Sequence, residues 1–255
     1  MHDTGAQNTI FILVGTKHPG NIGSVARAMR NMGFTQLRLV SPQCAANEES
    51  RRLAKAGAGI LDTTRTFRTL GGAVRDLRYL IGTTGKSGGN RAQTYSPRAL
   101  AGSVAGYAAN QKVGILFGPE DTGLVDEDLL RCQRLIRIPT NPDARSLNLA
   151  HAAMIVAYEL RLARLQHEPA RVPKLATLPQ VEAMFAQLER ALLEIGFLQE
   201  QNSRHMMFAL RRILGRAALE QPDVGIFRGI ARQIAWYSSR RKPPIVEAIP
   251  DRLCD

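Results

Sequence analysis

Five side chains in this sequence are of kinds that could work together on a polar ligand: Asn21, Arg27, Glu120, Ser146 and Asn148. They fall in three short segments. The first is His18-Pro19-Gly20-Asn21-Ile22-Gly23-Ser24-Val25-Ala26-Arg27, the second Leu116-Phe117-Gly118-Pro119-Glu120-Asp121-Thr122-Gly123-Leu124. The third runs from Ile138-Pro139-Thr140 through Ser146-Leu147-Asn148-Leu149-Ala150. Each hangs glycine or polar residues from the end of an apolar run, and in open α/β sheets that edge binds nucleotide-like ligands. Singly, each residue has a plainer use. Asn21 and Ser146 precede helical runs and could be N-caps worth about 1 kcal/mol each. Arg27 could be a solvated helix arginine and Glu120 a turn carboxylate. Asn148, one turn into an otherwise apolar helix, is harder to set aside, because a buried Asn needs hydrogen-bond partners. The sequence groups no Ser, His and Asp as a triad, and its histidines are scattered. Triad hydrolysis and metal catalysis therefore lack their parts.

The elements that must position these residues alternate in kind. Residues 9–15, 36–40, 77–82, 113–118 and 135–138 read as short buried strands, and 22–32, 48–56, 67–76, 97–110 and 147–166 as helices. That alternation predicts an α/β fold: a mainly parallel sheet with helices on both faces. On such a sheet Asn21, Thr83, Gly118, Glu120, Ile138 and Ser146 emerge at one edge. In the first helix Ile22, Val25, Ala26 and Met29 share the face expected to meet the sheet, with Gly23, Arg27 and Arg30 on another. The last helix of this part is apolar nearly all round from Leu147 to Ala157, which predicts deep burial. Periodicity then stops, giving domains at 1–167 and 180–240, a linker at 168–179 and a tail at 241–255. The second domain reads as a helical module, with helices at 180–195, 203–215 and 222–237.

Composition narrows the partners. Among 255 residues there are 34 Lys+Arg and 22 Asp+Glu, a formal charge of +12. The excess is spread over both halves, a field suited to nucleic acid. Three cysteines, Cys44, Cys132 and Cys254, are far apart and form no C-x-x-C. They predict neither a disulfide framework nor a zinc site, and they fit a reducing cytoplasm. The N-terminus does not read as a signal peptide, and no run is long enough for a membrane span. Gly82-Thr83-Thr84-Gly85-Lys86-Ser87 imitates a phosphate-binding loop, but Leu80 stands where the Walker pattern needs glycine. No G-x-G-x-x-G opens the first helix, against a dinucleotide-dependent oxidoreductase.

In order and content the three segments resemble the signatures of the SPOUT-class RNA 2′-O-ribose methyltransferases of the TrmH group, most of all its tRNA-acting members. Asn21-x-Gly23-x-x-x-Arg27-Ala28-Met29 is similar to the first signature. Phe117-Gly118-Pro119-Glu120 with Gly123-Leu124 is similar to the second, and Ile138-Pro139 with Ser146-Leu147-Asn148-Leu149-Ala150 to the third. Residues 192–196 and 207–214 resemble the small C-terminal domain of the tRNA subgroup. The resemblance implies a trefoil knot over roughly residues 113–165, a homodimer with shared active sites, and S-adenosylmethionine as cofactor, without a metal. It puts Thr83, Thr84, Gly85, Gly118, Ile138, Ser146 and Leu147 at the cofactor. It assigns catalysis or its support to Asn21, Arg27, Glu120, Ser146 and Asn148; RNA contact is expected of Arg27, Arg30 and Arg145. The implied substrate is tRNA, at nucleotide 32 (C or U) of the anticodon loop. The alternatives are another tRNA or rRNA site, and a non-catalytic RNA-binding protein. The chain departs from its relatives in one place: Ala144-Arg145-Ser146-Leu147-Asn148 stands where they often read Tyr-Ser-Ser-Leu-Asn. An aromatic is lost and a cation gained, and Arg145 is expected to meet RNA phosphate.

Overall fold

A computed structural model describes residues 4–85, 93–144, 146–166, 174–199 and 201–240. A helical turn, α1 (Thr4–Gln7), leads into β1 (Thr9–Val14) and then α2 (Pro19–Asn31). β2 (Gln36–Val40), α3 (Glu48–Ala54), α4 (Ala58–Thr63), β3 (Arg65–Phe67) and α5 (Leu70–Ala73) follow. Next come β4 (Tyr79–Thr83), β5 (Thr94–Tyr95), α6 (Pro97–Ala108), β6 (Val113–Phe117), α7 (Asp126–Leu130), β7 (Arg134–Ile136) and α8 (Leu149–Gln166). Three helices complete the described chain: α9 (Leu178–Glu194), α10 (Ser203–Gly215) and α11 (Gln221–Arg240).

The seven strands form one sheet in the order β3-β2-β1-β6-β4-β7-β5, and every pairing is parallel. All strands therefore end at the same edge. Alternate residues of each strand feed opposite faces. Phe11, Leu13, Tyr79, Ile81, Ile115 and Phe117 pack beneath α2, α6 and α8, whereas Ile10, Ile12, Leu80, Leu116 and Leu135 meet Val74, Leu77, Leu129 and Leu178. Phe11 stacks on Phe117 at 5.7 Å, so the two central strands share an aromatic contact. Burial of each such side chain contributes about 1.5–3 kcal/mol. On α2, Ile22, Val25, Ala26 and Met29 are all fully buried, as their spacing predicts.

Several expectations need correction. The helix placed at 22–32 begins at Pro19, with His18 as its extended N-cap; proline's fixed φ suits the first helical position. The segment 67–76 is not one helix: residues 65–67 pair with β2 as an edge strand and only Leu70–Ala73 is helical. Leu70–Ala73 includes Gly71 and Gly72, which propagate a helix poorly. α8 is buried along a stripe, through Ala153, Val156, Ala157 and Leu160, while His151 and Tyr158 stay exposed. The expected linker at 168–179 is partly folded. Leu175 and Ala176 are buried, and α9 starts at Leu178 on a reciprocal capping box of Thr177 and Gln180. Residues 167–173 and the tail beyond 240 lie outside the described residues.

Helices α9 to α11 gather a smaller core of Met184, Phe185, Leu198, Met207, Leu219 and Val224. They sit on the sheet through a seam rich in arginine. Arg134 on β7 donates to the carbonyl of Gly215 at 3.0 Å and to that of Arg216 at the end of α10. Arg78 donates to the carbonyl of Leu175 at 3.1 Å. Arg211 grips Glu182 through two bonds of 2.9 Å and lies over Phe185. Cys132 is buried in this seam. Among the described residues no helix is long and apolar enough to cross a membrane.

Candidate active site

The loop after β6 is shaped by its glycines. A Cβ on Gly118 would lie 2.2 Å from the Leu124 nitrogen, so only glycine lets the chain fold back this tightly. Gly123, at φ +70°, closes the turn by donating its N–H to the Pro119 carbonyl at 2.9 Å. The loop presents Glu120 to the start of α2. One carboxylate oxygen accepts from the Asn21 amide at 2.7 Å and the other from the Lys17 backbone N–H at 3.2 Å. Asn21 in turn accepts from the Asn148 amide at 3.1 Å, and Asn148 accepts from the Ala150 N–H at 2.9 Å. The chain of bonds has one consistent sense. A carboxylate only accepts, so each amide nitrogen must point towards Glu120 and each amide oxygen away. Three elements distant in sequence are thereby locked together.

The electrostatics follow from these bonds. Partial burial pushes the Glu120 carboxyl up. Hydrogen bonds from Asn21 and from backbone N–H groups, Lys17 among them, more than reverse this and hold it below the usual carboxylate range. Glu120 is thus an ionised anchor that fixes both amides. Beside it, Lys17 pairs with Asp121 at 2.6 Å on the surface. α2 is held against its neighbours by close backbone approach: a Cβ on Gly23 would lie 2.1 Å from the Ser50 carbonyl oxygen.

Not every candidate joins this network. Asn21 lies inside the first turn of α2 and is not its N-cap. Ser146 is exposed and does not cap α8; Asn148 does, its side chain accepting from Ala150 and its carbonyl from the Ala152 N–H. Asn148 is therefore an exposed residue one position before the helix, not a buried one within it. Arg27 and Arg30 are exposed and make no ion pair among the described residues. Six positions beyond Asn21, Arg27 sits about 120° round the helix from it. Arg145 lies outside the described residues, as do Lys86 and Ser87.

The candidate cofactor residues end three adjacent strands, β6, β4 and β7, or precede α8. The Thr83 hydroxyl donates to the Leu116 carbonyl at 2.8 Å, stitching β4 to β6. The Thr84 N–H reaches the Ile136 carbonyl at 2.9 Å, tying the same loop to β7. Gly85 is exposed, and Gly118, Ile138 and Leu147 are half-buried. Apolar Ile138 and Leu147 can face a ring while Thr83 retains acceptor lone pairs, so the set fits a nucleoside-bearing group. Lys17 escaped the sequence reading. Its place directly after β1, at the edge where the other segments emerge, was the available signal.

The SpoU rRNA Methylase family matches residues 8–158, and the family described as tRNA methyltransferase TrmJ, C-terminal domain, matches residues 179–243. The tRNA (cytidine/uridine/adenosine-2′-O-)-methyltransferase TrmJ of Pseudomonas aeruginosa is 38% identical over 232 residues, 86% of this chain and 90% of that protein. The tRNA (cytidine/uridine-2′-O-)-methyltransferase TrmJ of Escherichia coli K12 is 35% identical over 245 residues, 92% and 98% of the two chains. The crystal structure of TrmJ from Z. mobilis ZM4 superposes with a TM-score of 0.76 at 30% identity, covering 89% of this chain and 99% of that one.

Proposed function

This chain belongs to the SpoU rRNA Methylase family and carries a TrmJ C-terminal domain, and on that premise we propose that it is an S-adenosylmethionine-dependent tRNA 2′-O-ribose methyltransferase. The observation that carries the reading is the bonded line Glu120–Asn21–Asn148 at the carboxyl edge of the sheet, beside the ends of β4, β6 and β7. The target we assign is nucleotide 32, C or U, of the anticodon loop, in the cytoplasm.

In this reading Thr83, Thr84, Gly85, Gly118, Ile138, Ser146 and Leu147 hold the cofactor. When bound, it supplies an activated methyl group on a sulfonium. What remains for the protein is chiefly alignment of the ribose hydroxyl, an effect that can supply about 7–11 kcal/mol. Asn21 and Asn148, fixed by Glu120, orient that hydroxyl. Arg27 stabilises the alkoxide as it develops; a guanidinium keeps its proton near neutrality and is a poor base. Arg30 and Arg145 meet RNA phosphate. The placement of Arg27 round the helix from Asn21 suits a homodimer in which one subunit's Arg27 completes its partner's site. The reading includes a trefoil knot over residues 113–165, with residues 1–167 as the catalytic domain and 180–240 as an RNA-binding domain.

Mass-spectrometric mapping of 2′-O-methyl groups in total RNA from cells with and without the gene tests this. Loss of a single tRNA methyl at position 32 is expected. A lost methyl in ribosomal RNA instead would move the target. An unchanged methylation map, with no heat on titration of the protein with S-adenosylmethionine, would overturn the assignment.

A further inference from the structure

An open cavity of 370 Å³ lies between the ends of β2 and β3, on the far side of β1 from the cofactor strands, and the reaction above leaves it unused. Its walls include Leu39, Gln43, Cys44, Leu61, Thr64 and Thr66. It adjoins the polar network directly. Lys17, whose N–H binds Glu120, follows Thr16, and the Thr16 carbonyl accepts from the Gln43 N–H at 2.9 Å and from Cys44 Sγ at 3.6 Å. The strand order therefore lays out three stations along one edge. The cofactor residues sit on β7, β4 and β6, the Glu120–Asn21 pair lies between β6 and β1, and the cavity lies over β2 and β3.

The lining suits an RNA base. Leu39 and Leu61 offer apolar walls to a ring face, and polar side chains are available to its edge. Thr64 spends its hydroxyl proton on the Ile60 carbonyl at 2.8 Å and is left as an acceptor. Thr66 lies on the sheet's edge strand between Arg65 and Arg68, both exposed and able to meet phosphate. Gln43 is exposed at the cavity, and its amide can turn to present either a donor or an acceptor. We propose that this cavity receives the base attached to the methylated ribose and that Gln43 reads its Watson–Crick edge, tolerating both cytosine and uracil. The inference rests on the methyltransferase reading.

Gln43→Glu tests it. A carboxylate can still accept from the cytosine amine or the uracil N3–H, but it can no longer donate to cytosine N3 or uracil O4 and faces those acceptors with negative charge. With tRNAs carrying C or U at the mapped methylated position, kcat/KM should fall at least about tenfold for both substrates. S-adenosylmethionine affinity should stay unchanged. An unchanged kcat/KM for both substrates overturns the inference. A second measurement needs no change at the cavity. In a Cys254→Ser background, the alkylation rate of Cys44 is followed with and without tRNA. Slowing by saturating tRNA is expected; an undiminished rate overturns the inference. Absence of methylation by the unmodified protein would strike the reaction itself, and Cys44 protection would then still judge the cavity.

Discussion

At the seam below the C-terminal helices, Arg134 gives its guanidinium to the carbonyls of Gly215 and Arg216, and Arg211 gives both terminal nitrogens to Glu182. At the carboxyl edge of the sheet, Arg27 and Arg30 reach solvent without an ion pair among the described residues, while the uncharged Asn21 and Asn148 are the residues tied down. The two regions draw on one residue type for opposite ends. At the seam, Arg134 and Arg211 join structure to structure. Those on α2 turn to solvent. The net charge of +12 already sets Arg211 against Glu182, and bonds to neutral carbonyls leave the charge of Arg134 in place.

Substitutions at four positions would sharpen or break this contrast. The largest effect is expected at Arg27→Ala: methyl transfer should fall by about 10²–10³-fold, the scale of losing one transition-state donor. Its melting temperature should stay unchanged, since the side chain is exposed, and calorimetry should show cofactor binding intact. Near-wild-type turnover by Arg27→Lys would remove the case for a planar guanidinium.

Glu120→Gln comes next. Both Asn21 and the Lys17 N–H need an acceptor, and an amide can satisfy only one of them, so misaligned amides should cost about 10²-fold in kcat. The same variant has a pH signature. The folded carboxyl titrates below its ordinary value, so its stabilisation is present above the unfolded pKa and is lost as pH falls through the depressed folded one. Acid unfolding curves of the variant should lack that increment.

At the seam, Arg134→Ala removes two hydrogen bonds from a charged donor, one part-buried and one exposed, and should lower stability by about 1–3 kcal/mol, with cofactor affinity unaltered. The single tryptophan, Trp236 on α11, reports this directly in denaturant titrations followed by fluorescence. The smallest effect is expected at Asp121→Asn, which removes the exposed pair with Lys17 and should change stability by no more than about 1 kcal/mol. A loss as large as that of Arg134→Ala would erase the distinction between engaged and surface charge.

The sequence was legible where an element's own residues decide its form. Ser203–Gly215 agrees at both ends with its spacing-based boundary, and Gln36–Val40 likewise. β3 and β5 were not legible, because three and two residues carry no periodicity and become strands only by pairing with β2 and β7. Asn148 stands out in the sequence as a polar residue in an apolar run, yet that run places it inside the helix that it caps. The preference of Asn for N-cap positions, applied at 148 instead of at Ser146, would have corrected it. The seam lay beyond reach, since Arg134 bonds main-chain carbonyls more than 80 positions away, and a carbonyl leaves no mark in the sequence.

Cys132 turns the seam into a built-in clock. Its thiol is buried and donates to the Asp128 carbonyl, and burial pushes its pKa up, so an alkylating reagent finds neither access nor thiolate while the helices remain docked. The slow modification of this one sulfur then counts how often α9 to α11 lift from the sheet. Half-buried Cys44, away from that junction, supplies the reference rate within the same molecule.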